Sequence, residues 1–163
     1  MSEHKKNTII FDLDGTLANI DTRMQLATGG KSTESDYKKI NWAVLHDPKN
    51  IALDVPKTPV LVMCKMLFDE GYNIYIFSGR SDKTKEATIN WLEKWHIPYH
   101  KLVMRPSTTK EENFMPDEIL KYKMLEQHAD RDDVLCVYDD RTKVVDMWRS
   151  VGLTCFQVAP GDF

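Results

Sequence analysis

The chain has 163 residues, 42% hydrophobic and 29% charged, with a formal net charge of −3. This is the size and mixture of one globular domain with a real core, which excludes a fibrous or disordered polymer. The slight negative charge argues against a protein that coats nucleic acid nonspecifically, while leaving room for a local basic patch that grips one end.

In chain order, residues 1–7 are charged and polar, unlike a secretory signal. Thr8–Phe11 is a short β-branched apolar run, expected of a strand buried on both faces. Residues 19–59 carry no convincing strand; a helical stretch at 37–45 follows a polar tract at 28–35, and a small cap inserted after the first strand is expected. A helix over 60–70 ends at Gly71, a C-cap glycine. A strand at 73–77 precedes a helix over 84–95, with Pro98 just beyond its end. A weaker strand at 102–104 leads to a helix over 116–129, whose first-turn Pro116 suits a helix start. A strand at 134–138, a helix over 141–151 ending at Gly152 and a weak strand at 154–158 complete the chain. This alternation implies a parallel sheet with helices on both faces, in one domain spanning 1–163.

Four segments carry chemistry. Asp12 and Asp14 close the first strand, where two nearby carboxylates raise each other's pKa. A divalent cation resolves that repulsion, and oxygen ligands suit magnesium. Gly15 permits a tight exit, and Thr16 can offer its hydroxyl and backbone to an anion. Ser78, Gly79 and Arg80 follow the second strong strand, where a hydroxyl and adjacent backbone N–H groups make a phosphate cradle. Of the two lysines in the 116–129 helix, Lys121 lies nearer the catalytic edge, and Asp117 one turn earlier can orient it as an i,i+4 pair. Lys123 is expected in solvent. Asp139 and Asp140 close the strand at 134–138 and would complete the metal's coordination, Asp139 preferred and Asp140 a close second. Asp140 is also a candidate N-cap for the helix that follows.

The pattern Asp12-x-Asp14-x-Thr16 resembles the first motif of haloacid dehalogenase (HAD) superfamily phosphatases, and the other three segments follow in that superfamily's order. The resemblance implies a HAD-like Rossmannoid three-layer α/β fold and a magnesium-dependent phosphatase. Asp12 would be the nucleophile, forming an aspartyl-phosphate, and Asp14 the general acid and then base. Lys121 would assist catalysis, Ser78 would hold a phosphoryl oxygen, and Asp12, Asp14, Asp139 and Asp140 would hold Mg2+.

Further along, Thr84-Lys85, Asp139 to Thr142, Val144 to Arg149 and the ending 157–163 resemble the phosphatase domain of bacteriophage-type polynucleotide kinase/phosphatase. That family removes 3′-phosphates from polynucleotide ends. The resemblance implies that Arg23, Arg80 and the Asp117/Lys121 pair bind substrate or position the phosphate, and that the setting is end repair in bacterial or phage-infected cytoplasm. Seven residues precede the first strand, so a preceding kinase domain is not expected. Gly29-Gly30-Lys31-Ser32 lacks the strand and spacing of a phosphate loop.

The expected partner is a phosphorylated nucleic-acid end or a nucleotide, with no membrane, since no apolar run approaches the roughly 20 residues of a span. No pattern singles out a protein partner. The alternatives are a nucleotidase or other small-molecule phosphomonoesterase, a non-catalytic phosphate-binding domain, and a phospho-acceptor receiver, in which the acceptor Asp follows a later strand. Cys64, Cys136 and Cys155 are expected as small buried hydrophobes, and Trp91, Trp95 and Trp148 as packing. His96 and His100 are expected to cap or solvate a helix end, while Trp42 offers either cap packing or a base-stacking surface.

Overall fold

A computed structural model describes residues 5–30 and 39–163. The apolar runs form a five-stranded sheet of β1 (Thr8–Phe11), β4 (Asn73–Ser81), β5 (Lys101–Arg105), β6 (Val134–Asp139) and β7 (Cys155–Gln157). Its order is β5-β4-β1-β6-β7 and every pairing is parallel. Thus β1 lies in the centre, and all four of its residues are buried.

Alternating side chains leave a strand on opposite faces, so β1 feeds two cores. Ile9 and Phe11 join Ile74 and Ile76 beneath α4 (Thr58–Asp69) and α5 (Lys85–Lys94), with Cys64, Trp91 and Leu92 packed against them. Ile10 faces the other way, toward α7 (Asp117–His128) and α8 (Thr142–Ser150), where Leu120, Met124, Val145 and Trp148 surround it. These layers give the HAD-like α/β fold expected from the sequence. The three cysteines are buried and free, and burial pushes the Cys64 and Cys155 thiols up to about 12.

Two expectations are corrected. The insertion after β1 does contain strands: β2 (Ala18–Asn19) pairs antiparallel with β3 (Val55–Pro56). Two-residue strands are too short for a hydrophobic alternation to register. The strand at 73–77 continues through Ser78, Gly79 and Arg80 to Ser81, with the β4–β5 register shifting between Ser78 and Ser81. The expected phosphate cradle is therefore an extended segment with an irregularity, and a short 3-10 helix (Asp82–Thr84) follows it.

Between β2 and β3 run α1 (Asp21–Thr28), α2 (Trp42–Leu45) and α3 (Pro48–Ile51). Only the end of the helical stretch expected at 37–45 appears, as α2; Lys31, Ser32, Tyr37 and Lys38 lie outside the described residues. Helix α1 lacks a clear apolar stripe, which hid it. Helix α6 (Lys110–Phe114) also escaped the apolar pattern, because it buries no residue and rests on a capping box between Thr109 and Glu112.

Candidate active site

The C-terminal ends of β1, β4 and β6 meet over a cavity of about 930 Å³. Asp12 follows β1, its N–H donating to the Tyr138 carbonyl of β6 at 2.9 Å, which fixes it to the sheet edge. Lys121 reaches from the second turn of α7 and is 3% exposed. Its Nζ donates to Asp12 Oδ1 at 2.5 Å and to Asp139 Oδ2 at 2.9 Å. Burial alone would lower the lysine's pKa, but Asp12 and Asp139 outweigh it and hold the ammonium charged well above its usual range. Lys123 points to solvent, as expected.

Asp117 does not orient Lys121. Its two oxygens instead accept from Arg105 Nη2 at 2.5 Å and Arg141 Nη1 at 2.8 Å. The i,i+4 expectation fails because Lys121 turns inward to two buried carboxylates, while Asp117 stays at the partly exposed rim. Gly79 passes close to it: a Cβ there would lie 3.0 Å from Asp117 Oδ1.

Thr16 is fully buried and its hydroxyl donates to Asp12 Oδ2 at 2.8 Å, while its N–H donates to the Leu13 carbonyl. The expectation that Thr16 offers both groups to an anion is thus corrected: the turn folds the hydroxyl back beneath Asp12. Gly15 makes that turn at φ +84°, and a Cβ there would come within 2.1 Å of Asp140 Oδ2. Ser78 is also buried, its Oγ accepting from the Arg80 N–H at 3.1 Å.

Asp14 turns away from these groups. Its Oδ1 accepts from Arg80 Nε at 2.9 Å and Nη2 at 2.6 Å, and from Arg23 Nη2 at 3.0 Å. Burial would raise its pKa, but Arg80 and Arg23 outweigh it and hold the carboxyl well below the usual range. Arg23 is fully buried, bonded also to Asp54 at 3.1 and 2.8 Å and to the Leu45 carbonyl. Its bonds run to Asp14, Asp54 and the Leu45 carbonyl, so of the two expected roles the geometry suits positioning, through Asp14, better than direct contact with substrate. Arg80 likewise spends its guanidinium on Asp14, Asp54 and Thr88.

Of the four carboxylates read as metal ligands, that of Asp14 is engaged with Arg23 and Arg80, and the other three cluster together. Buried carboxylate oxygens of Asp12, Asp139 and Asp140 lie within 4.8 Å of one another. Burial raises the pKa of Asp12 and of Asp140, and Asp139 adds to both. Three buried carboxylates facing one lysine leave a like-charge excess, and their hard oxygen donors fit Mg2+. The two aspartates that close β6 differ in how far their oxygens are already engaged. Asp139 Oδ2 already accepts from Lys121 and from Trp148 Nε1, and its Oδ1 from the N–H groups of Asp140 and Arg141. Asp140 therefore has the more available lone pairs, and neither aspartate caps α8, whose N-cap is Arg141 without a side-chain cap bond.

Several participants had no sequence signal. Asp54, 1% exposed, joins Arg23 to Arg80, and its carbonyl accepts from Trp91 Nε1 at 2.8 Å. A lone aspartate between Leu53 and Val55 belongs to no motif. His46 lines the cavity with its Nδ1 buried and unpartnered, and burial lowers its pKa. Gly161 was noted only as part of the C-terminal resemblance; a Cβ there would lie 1.9 Å from the Asp140 carbonyl oxygen.

A family model, the polynucleotide kinase PNKP phosphatase domain, matches residues 6–163. The chain belongs to that family. It is accordingly a phosphatase domain of the HAD-like class, as the ordered motifs implied. A protein of Autographa californica nuclear polyhedrosis virus, described as a bifunctional polynucleotide kinase/RNA ligase, is 31% identical over 92% of this chain and 19% of its own length. A chain of a solved Pnkp1/Rnl/Hen1 complex superposes with a TM-score of 0.75 at 31% identity, over 98% of this chain and 48% of that one. The chain thus spans about half of the one relative and a fifth of the other. A haloacid dehalogenase-like hydrolase from Streptococcus pneumoniae shares the fold, with a TM-score of 0.65 at 16% identity over 93% of this chain and 83% of that one. No described helix is long and apolar enough to cross a membrane.

Proposed function

We propose that the chain hydrolyses phosphate monoesters at polynucleotide 3′ ends, with Mg2+ as cofactor and Asp12 as nucleophile. The observation that carries the reading is the Asp12 carboxylate at the cavity floor, clamped by Lys121 on one oxygen and Thr16 on the other. One Asp12 oxygen attacks phosphorus, forming an aspartyl-phosphate as the bond to the nucleotide oxygen breaks; the leaving oxygen takes a proton from Asp14. Water then attacks the same phosphorus, returns a proton to Asp14 and releases inorganic phosphate and free Asp12. Splitting the displacement in two lowers each barrier.

Asp14 rests ionised between Arg23 and Arg80, ready for the second step. An incoming phosphate adds negative charge beside it and raises its pKa toward protonation for the first. Ser78 and the Gly79 N–H would hold phosphoryl oxygens, while Lys121 neutralises the developing charge. Arg80 and Asp117 shape the pocket around the phosphate, and the 19–59 segment acts as its cap. Asp12, Asp139 and Asp140 would hold Mg2+, which would supply electrostatic stabilisation of the transferring phosphoryl group.

The family match and the polynucleotide end-processing names of the relatives support a nucleic-acid substrate over a free nucleotide. The likeness to a chain of the Pnkp1/Rnl/Hen1 complex supports a setting in which other repair proteins assemble alongside. The test is magnesium-dependent phosphate release from a 3′-phosphorylated oligonucleotide beside 3′- and 5′-mononucleotides and an aryl phosphate. A large kcat/KM preference for the oligonucleotide is expected. Equal or better turnover of the mononucleotides would make the protein a nucleotidase.

A further inference from the structure

Among the described residues, the mouth of the cavity carries more exposed aromatic surface than unpaired positive charge. The tryptophan and phenylalanine side chains exposed among the described residues are Trp42, Phe114, Phe156 and Phe163, at 60%, 77%, 50% and 36%. All but Phe156 line this one cavity. Burying a large apolar side chain is worth about 1.5–3 kcal/mol, so keeping three of them in water around one opening is a cost without a benefit inside the folded chain. They come from separate places, namely the start of α2, the end of α6 and the segment after β7. No single packing accident puts them together.

Two of them are held in defined orientations. The Trp42 ring stacks on His46, with centroids 5.7 Å apart and an interplanar angle of 15°. The Arg141 guanidinium lies over the Phe163 ring, 5.4 Å from its centre, and is anchored by Asp117. Phe114 is the most exposed of the three.

The charges at the same opening point the same way. Lys57, Arg80, Arg105, Lys121 and Arg141 line the cavity, and all but Lys57 are ion-paired with an aspartate. A groove that follows a polynucleotide backbone needs several cations free to replace its counterions, and four of these five are engaged. The cavity, at about 930 Å³, nevertheless falls at the upper end of the range of roughly 300–1,000 Å³ that binding pockets span. It has room for far more than a phosphoryl group.

We infer that Trp42 and Phe114 form a stacking platform for the unpaired bases adjoining the phosphorylated end, so that the substrate is a single-stranded terminus. The inference rests on the proposed phosphatase reading and adds how its substrate is selected. Bases offer π faces whatever their identity, so the platform is tolerant of sequence. Its reach is short, covering the terminal one or two nucleotides, and duplex ends engage it only after fraying.

The test uses the Asp12→Asn chain, to prevent turnover, and fluorescence anisotropy with two 3′-phosphorylated single-stranded eight-mers. One is intact and the other lacks its two 3′-terminal bases. Trp42→Ala and Phe114→Ala should each weaken binding of the intact strand about ten-fold and leave binding of the base-less strand unmoved. That coupling is the signature of direct stacking. Affinity for the intact strand should fall only shallowly with salt, with a log–log slope of about −1, as for one or two phosphate contacts. Equal losses on both strands, no loss on either, or a slope steeper than about −3 would overturn the platform. Phosphate release by the unmutated chain from the intact strand is measured separately. Coupling without release would keep the platform and remove the phosphatase reading, and release without coupling would do the reverse.

Discussion

Lys121 is the cation that lets Asp12 and Asp139 share a buried site, both bonding its Nζ. Deleting one partner of a buried pair strands the other charge, at about 3–5 kcal/mol. Lys121→Met should therefore lower stability by roughly that much and abolish turnover, while the solvent-facing Lys123→Met should change neither measurably; thermal melts and phosphate release check both. Asp12→Asn keeps the shape and the Thr16 contact, so activity should fall to background with the melting temperature little changed. Substantial remaining turnover would remove Asp12 as nucleophile. Gly15→Ala would drive a methyl into Asp140 Oδ2, 2.1 Å from the ideal Cβ, at a φ of +84° that alanine resists. Loss of both stability and magnesium response is expected there, read by melting with and without the ion.

At the scale of elements, the acidic turn after β1 is tied to two distant segments through one buried network. Arg23 comes from α1, Asp54 from the residue before β3 and Arg80 from β4, and all three are 1% exposed or less. The two guanidiniums meet Asp14 from one side and Asp54 from the other. Asp54→Ala leaves two buried arginines sharing one carboxylate. It should cost about 3–5 kcal/mol and lower kcat more than it raises KM, because Asp14 is misplaced while the cavity mouth is untouched. Steady-state kinetics on the oligonucleotide check the split. An unchanged kcat would show that the insertion merely shelters the site.

Across the whole molecule, the sheet edge gathers charge that a cation relieves. Magnesium held by Asp12 and Asp140 should raise the melting temperature, with stabilisation reaching about 2.7 kcal/mol at a hundred-fold excess over Kd. Asp140→Asn should abolish that rise, whereas Asp139→Asn should retain part of it while losing more intrinsic stability, since Asp139 holds Lys121, Trp148 and the Asp140 N–H. The opposite ranking would restore Asp139 as the principal ligand. A chelator should remove turnover without unfolding the chain, because two apolar cores packed against β1 carry the fold.

The sequence by itself determined the layered α/β architecture and the identity of the acidic and basic residues at the sheet edge. Thr8–Phe11, the apolar runs at β4 and β6, and the amphipathic α4, α5 and α8 signal themselves through local periodicity, while Pro116 marks the start of α7, and such local signals survive in one dimension. Asp12, Asp14, Lys121, Asp139 and Asp140 stood out because each closes or opens such an element. What only the tertiary structure decided is the partnership among them. Thr16 and Arg23 serve carboxylates instead of the cavity, Asp117 bonds Arg105 and Arg141 instead of Lys121, and Asp139 is spent where Asp140 is available. Those choices follow from side-chain direction and from competition for a few buried lone pairs. Asp54, His46 and the aromatic mouth likewise came from segments far apart in sequence, with no local pattern to announce that they converge.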